Sequence, residues 1–333
     1  MSDAAPAPSI AVLGAGAWGT ALANLYARDG RTVTLVARDG AAAARIREAQ
    51  ANERYLPGIR LSPDLAVSGE LAGAATAAGI LLLVVPAQAL RAALRGARGA
   101  SLAPGVLAVV CSKGIERETG RFASDIVAEE LPDARVAVLS GPSFADDVAR
   151  GLPTAVTVAA GTEPLADEAA RWLSAEGFRC YASADIRGVE AGGALKNVLA
   201  LAAGIVSGRG LGASALAAIV TRGFVELRRL GQALGGRPET LMGLSGLGDL
   251  VLTCSGPQSR NFAYGAALGR GDDLSGLKLA EGVYSAGIAA RLAREAGIEA
   301  PIVETVAAIL DNRLTVDEAA RALLARPLKR ETD

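Results

Sequence analysis

The chain contains no histidine among its 333 residues. That absence removes both the commonest proton-transfer side chain and the commonest transition-metal ligand. Acid–base chemistry must then come from Lys, Asp, Glu, Tyr or Cys. Cysteine is scarce too. Cys111, Cys180 and Cys254 are odd in number, far apart and never form a C-x-x-C pair, so neither a disulfide framework nor a metal site is supported. Aromatic residues make up 4% of the chain against 51% for all hydrophobic residues, so the core must be built from Ala, Val, Leu and Ile. No charge of one sign dominates. The formal net charge of −1 argues against a general nucleic-acid binder and leaves room for a local anion site. The longest apolar run, "ILLLVVPAQAL" at 80–90, is interrupted by Pro86 and Gln88 and is too short to span a bilayer. The start, "MSDAAPAPS", lacks the basic and apolar parts of a signal peptide. The expectation is a cytoplasmic protein with no membrane insertion and no nucleic-acid partner.

The chain is longer than one hydrophobic core usually serves, so two domains are expected. Its first half alternates short β-rich runs with Ala-rich helical stretches. "SIAVLG", "TVTLVAR", "ILLLVVP", "VLAVVCS", "VAVLSG" and "TAVTVAA" are apolar without strict alternation, as parallel strands covered on both faces should be. "FRCYASAD" can add a last strand. Beyond about Gly188 no strand-like run appears. Phe224, Leu227, Leu230 and Leu234 fall at helical spacing, Thr315 and Glu318 form a capping box, and Pro238 and Pro301 suit first helical turns. This pattern predicts an α/β Rossmann-type, doubly wound sheet over 1–187, followed by an all-α domain over 188–333.

Gly14, Gly16 and Gly19 form G-x-G-x-x-G between the first predicted strand and a predicted helix, with a second strand following. In that context the glycines permit a tight turn and let the backbone approach a pyrophosphate at the helix N-terminus. At the end of the second strand stands "VARDG". Arg38 suits a 2′-phosphate and favours NADP(H). Asp39 could still serve a ribose, so NAD(H) stays open.

"GVEAGGALKNVLALAAG" at 188–204 reads as a helix buried on all sides, yet it holds Lys196 and Asn197. An unpaired buried ammonium costs several kcal/mol or loses its proton. "CSKGIE" places Lys113 just after a predicted strand, at the carboxyl edge where open α/β sheets bind ligands, and "SGPSFADDVARGLPTAV" does the same with Gly141 and Ser143. "GLSGLGDLVLTCSGPQSRNFAYG" gathers Asp249, Thr253, Ser259, Arg260 and Asn261 in a Gly-rich segment. Each also has a plain structural reading: a solvated charge for Lys113, an N-cap for Ser143, a helix cap for Asp249, a surface ion pair for Arg260.

In this order, "GAGAWGTALA", "SKGIE", "GPSFADDVARGLPTAV", "GVEAGGALKN", "GLSGLGDLVLTC", "SRN", "LAEGVYSA" and "RPLKRE" resemble the soluble bacterial NAD(P)-dependent glycerol-3-phosphate dehydrogenases, from Ile10 to about Glu331. The resemblance implies interconversion of dihydroxyacetone phosphate and sn-glycerol 3-phosphate, supplying phospholipid synthesis. It makes Lys196 the proton-transfer residue. It places Lys113, Gly141, Ser143, Asp249, Ser259, Arg260 and Asn261 around the phosphorylated triose, with Asn197 and Thr253 beside them. It places Gly14, Gly16, Ala17, Trp18, Gly19, Arg38, Lys113, Ala145, Arg260, Leu279 and Glu281 around the cofactor. Ala191 stands where the family more often has a larger aliphatic residue, and Ser112 where Thr is common. Two other readings compete: a dehydrogenase of a 3-hydroxy acid or ketopantoate-like substrate, and a nucleotide-binding regulator without turnover. Assembly stays open, a homodimer being one candidate.

Overall fold

The computed structural model describes residues 7–97, 102–278, 280–327 and 330. Its N-terminal part is built on ten strands: β1 (Ile10–Leu13), β2 (Val33–Val36), β3 (Ala51–Asn52), β4 (Leu56–Arg60), β5 (Ala66–Ser68), β6 (Ile80–Leu83), β7 (Leu107–Val110), β8 (Arg135–Ser140), β9 (Thr154–Ala160) and β10 (Phe178–Ser183). Eight of them form one sheet in the order β10-β9-β8-β7-β6-β1-β2-β5. Strand β1 lies between β2 and β6, with Ile10 opposite Val33 on one side and Ile80 on the other. The strand order reverses there, which opens a crevice at the carboxyl ends of these strands.

Both faces of the sheet are covered. Val12, Leu35, Leu82 and Val109 pack into one apolar layer, while Leu13, Leu81, Leu83 and Val110 pack into the other. Continuous apolar strands are the consequence, because neither face meets water. The parallel expectation fails at one pair. Strand β9 runs antiparallel to β8, with Ser140 opposite Thr157. The link between them holds only the short helix Ala145–Ala149, and Gly141 turns the chain at φ +151°. A parallel return usually crosses by a longer helix than these five residues. Strands β3, β4 and β5 were not expected from the sequence. Pro57 and Gly58, residue types more usual in turns, lie in β4, which pairs with β3 in a two-stranded ribbon.

After β10 the described residues are helical. Helix Ile186–Gly208 runs through the middle of the second part, and every residue from Gly188 to Ile205 in it is buried. It is long and apolar enough to cross a membrane, but its most apolar window is 94% buried inside the protein. The helices Ala213–Ala233, Arg260–Arg270, Glu281–Glu295 and Pro301–Leu310 surround it with Leu227, Leu230, Phe262, Ile288, Val303 and their neighbours. Helix Arg260–Arg270 comes closest. A Cβ at Gly204 or Gly208 would collide with the carbonyls of Phe262 or Ala266, and one at Gly265 or Gly269 with those of Leu201 or Ile205. Two Gly-x-x-x-Gly pairs therefore interlock backbone to backbone. Pro238 and Pro301 each open a helix, and Thr315 with Glu318 forms the reciprocal cap of helix Val316–Leu324.

Gly265→Ala should lower stability by about 1–3 kcal/mol, the usual cost of overpacking a tight contact. Gly287 makes the control, because a Cβ there meets nothing within 4 Å in helix Glu281–Glu295. Gly287→Ala should gain up to ~1 kcal/mol from helix propensity. Urea denaturation of both variants checks the contrast, and equal effects would refute the close helix contact.

Candidate active site

The turn after β1 carries the three motif glycines. Gly14 adopts φ +116°, and a Cβ there would lie 2.9 Å from the Val84 carbonyl oxygen. A Cβ at Gly19 would run into the Gly14 carbonyl. At Gly16 it would meet nothing within 4 Å. Packing thus demands Gly14 and Gly19, while Gly16 leaves open space in front of helix Ala17–Arg28. No side chain caps that helix and no acidic residue lies in its first turn. Its leading N–H groups and positive end remain for an anion, which fits the pyrophosphate of a dinucleotide. Trp18, in the first turn, tilts against Phe178 with ring centroids 6.5 Å apart, and its buried indole Nε1 has no partner.

Arg38 stands two residues past β2 with its side chain 83% exposed and 3.8 Å from the Asp39 carboxylate. Asp39 is otherwise engaged. Its side chain accepts the Ala42 N–H at 2.7 Å and caps helix Gly40–Ala49. The guanidinium is left facing solvent.

Deeper in the crevice two lysines converge on one carboxylate. Lys196 Nζ donates to Asp249 Oδ1 at 2.5 Å and to Thr253 Oγ1 at 2.7 Å. Lys113, in the loop after β7, donates to Asp249 Oδ2 at 2.7 Å and to the Gly141 carbonyl at 3.0 Å. Lys196 and Asp249 are both buried. Asp249 reaches this place because "GLSGLG" forms a π-helical turn, Leu244–Gly248, directly before helix Asp249–Cys254. The "GGALKN" glycines make room for both partners. A Cβ at Gly192 would lie 2.8 Å from the Ser245 carbonyl oxygen, and one at Gly193 would lie 2.8 Å from Ser140 Oγ and 3.5 Å from Lys113 Cγ. Sequence reading missed this role. The available signal was a glycine pair inside a helix, which costs roughly 1 kcal/mol per residue and so calls for a reason.

The electrostatics follow from burial. Loss of water pulls Lys196 down to about 8, with Asp249 opposing that shift and Lys113 adding to it. Burial alone would raise the Asp249 carboxyl. The two ammonium groups together outweigh it and hold Asp249 below the usual carboxylate range.

A chain of amides ties the remaining segments to this pair. Asn197 Nδ2 donates to the Lys113 carbonyl at 3.2 Å, and Asn261 Nδ2 donates to Asn197 Oδ1 at 2.9 Å. Asn261 Oδ1 in turn accepts the Gly282 N–H at 2.9 Å. Ser259 is the buried N-cap of helix Arg260–Arg270, and Arg260 stands exposed at its first position. Glu281 opens helix Glu281–Glu295. Burial raises its carboxyl, against the pull of Arg260. Ser143 donates to the Gly141 carbonyl at 3.0 Å and caps no helix, and Ala145 begins the next helix. Leu279 lies outside the described residues. Among those described, no three Asp, Glu or Cys side chains gather into a metal-sized cluster.

Residues 9–166 match the family model for the NAD-dependent glycerol-3-phosphate dehydrogenase N-terminus, and 185–321 match that for its C-terminus. The chain belongs to the NAD-dependent glycerol-3-phosphate dehydrogenase family. Curated relatives named glycerol-3-phosphate dehydrogenase [NAD(P)+] come from Chelativorans sp. (strain BNC1), 59% identical across 97% of this chain and 98% of the relative, and from Mesorhizobium japonicum, 60% identical across 97% and 94%. The crystal structure of glycerol-3-phosphate dehydrogenase from Coxiella burnetii superposes with a TM-score of 0.90 at 37% identity, covering 96% of this chain and 99% of that one. The first family model spans the glycine-rich turn and the Lys113 loop, and the second spans Lys196, Asp249 and Arg260.

Asp249→Asn preserves shape and removes the charge that both lysines share. Lys196 should then titrate below about 8, because Asp249 is the group holding it up. Stability should fall by about 3–5 kcal/mol, as when a buried pair loses one member. NMR of 15N-labelled lysine and urea denaturation measure the two effects. An unmoved titration would remove Asp249 as the partner of Lys196.

Proposed function

We propose that this chain catalyses the NAD(P)-linked interconversion of dihydroxyacetone phosphate and sn-glycerol 3-phosphate, with Lys196 as proton donor and acceptor. The observation that carries the reading is the buried Asp249 carboxylate bridging Lys196 and Lys113. A bound reduced nicotinamide dinucleotide supplies the hydride. Lys196 supplies the proton: its ammonium gives one to the oxygen of the former ketone and becomes a neutral amine, and in the oxidative direction that amine takes the proton back. Lys113, bound to the other oxygen of Asp249, favours negative charge on the same oxygen. Asp249 and Thr253 hold the Lys196 amine in place through both states. Arg260 and the positive end of helix Arg260–Arg270 hold the substrate phosphate, which orients the carbonyl. Gly141, Ser143, Asn197, Ser259 and Asn261 shape this pocket, and Ala145 and Glu281 face the dinucleotide.

The proposal favours NADP(H), since Asp39 is occupied as a helix cap while Arg38 is free to meet a 2′-phosphate. It divides the chain into a dinucleotide-binding unit, 1–187, and a substrate unit, 188–333. The last sheet strand ends at Ser183 and the lysine helix begins at Ile186, which supports that division. It includes a cytoplasmic enzyme off the membrane and off nucleic acid, a homodimer as its assembly, and a place in glycerophospholipid synthesis. Enclosure of the one long apolar helix and the near-zero net charge support the first of these.

Lys196→Met should lower turnover at least ~10²-fold, the lower range for a general acid, with NADPH affinity unchanged. In the parent enzyme, reduction of dihydroxyacetone phosphate needs the protonated amine, so its kcat/KM should decline as pH rises through about 8. Oxidation of glycerol 3-phosphate needs the neutral amine and should rise through the same range. Steady-state pH profiles check both limbs, and near-parental turnover in a folded Met variant would end the assignment.

Arg38→Ala should weaken NADPH about 10–100-fold, the value of a lost charge-assisted contact, and leave NADH nearly unaffected. Fluorescence titration with both cofactors decides it. Equal weakening would make Arg38 a contact to the shared part of the dinucleotide.

A further inference from the structure

Lys113 acts from a loop, and loops hold catalytic groups only as well as their anchors do. The Lys113 loop spans Ser112–Arg117 and is tied on one flank to its own chain. Ile115 bridges Phe122, and the Glu116 N–H donates to the Arg121 carbonyl at 2.9 Å. The opposite flank rests on the first turn of helix Ala87–Ala97. There Gly114 packs onto Ala87 so closely that a Cβ at Gly114 would lie 2.9 Å from the Ala87 Cβ. The solvent-facing Gln88 then uses both ends of its amide. Its Nε2 donates to the Ile115 carbonyl at 2.8 Å, and its Oε1 accepts the Arg117 N–H at 3.0 Å. The two backbone groups straddle Glu116, so the amide spans the loop like a strand partner.

We infer that Gln88 is a positioning residue, fastening the Lys113 loop to the first turn of helix Ala87–Ala97 and so fixing Lys113 beside Asp249 and Lys196. The inference rests on the proposed roles of Lys196 and Lys113. Gln88 touches neither Lys196 nor Asp249 and acts through the loop alone. Glutamine is required in this account because the site needs one donor and one acceptor at the same reach. Glutamate keeps only the acceptor for Arg117, and leucine keeps neither.

The test compares Gln88→Leu and Gln88→Glu with the parent, using dihydroxyacetone phosphate and saturating NADPH. Gln88→Leu should lower kcat/KM about 10-fold, in line with two lost hydrogen bonds, and Gln88→Glu by less. Affinity for NADPH should not change. The charged groups that face Lys196 include Asp249 on helix Asp249–Cys254, Lys113 on its loop and Glu281 on helix Glu281–Glu295, while the Cys254 thiol is pushed up to about 12 and stays neutral; of these, Lys113 is the one that pushes the Lys196 titration down. A loosened Lys113 should therefore move the descending limb of the kcat/KM profile to higher pH. A residue that merely stabilised the fold would lower Tm and leave the limb in place. The inference is overturned if both variants keep the parental limb, whatever their Tm. If Gln88→Leu does not fold, Gln88→Glu decides alone by the same criterion. Parent and Lys196→Met run alongside: a parent without a limb near 8, or a Met variant with normal turnover, would refute the lysine assignment itself rather than the role of Gln88.

Discussion

Everything in the crevice depends on one carboxylate held between two ammonium groups. A lysine enclosed in an apolar helix is expensive to keep charged. Asp249 offsets much of that cost through a direct hydrogen bond, and both lysines in turn help to keep it ionised. Without Asp249, Lys196 would give up its proton more readily. The result is an amine that gains and loses a proton near pH 8, within reach of both directions of a ketone–alcohol exchange. With no histidine in the chain, a desolvated lysine is the side chain in this crevice that titrates nearest neutrality.

That contact sets the demands on the backbone around it. Asp249 must approach the lysine helix closely, so Gly192 is bare and the preceding segment takes a π-helical turn. Lys113 must enter from the sheet side, so Gly193 is bare as well. Farther along the same helix, Gly204 and Gly208 let helix Arg260–Arg270 lie against it. That packing fixes the distance between Lys196 on one helix and Arg260 on the other. The amides of Asn197 and Asn261 then join four separate segments, and each amide is committed at both ends.

Much of this was legible in the linear chain. The alternation of apolar runs and helical stretches marked the sheet strands that matter, since strands buried on both faces carry a strong local signal. The G-x-G-x-x-G turn was recognisable because its place between strand and helix is a local fact. Lys196 stood out because an ammonium conflicts with its neighbours. The ribbon of β3 and β4 was hidden by Pro57 and Gly58, whose ordinary preference is for turns. The reversal of β9 was hidden because strand direction depends on how the link folds, not on the residues of the strand.

The sequence by itself determined which side chains were available for chemistry, which segments had to be buried, and the glycine-rich turn before the first helix. Tertiary structure alone decided that Lys113, Lys196 and Asp249 meet, although Lys113 and Asp249 lie 136 positions apart. It alone settled whether desolvation or charge dominates at Lys196. The reason is that local patterns report what one segment prefers against water, whereas a pKa, a shared carboxylate or a close helix contact is set by what other segments bring to the same point in space.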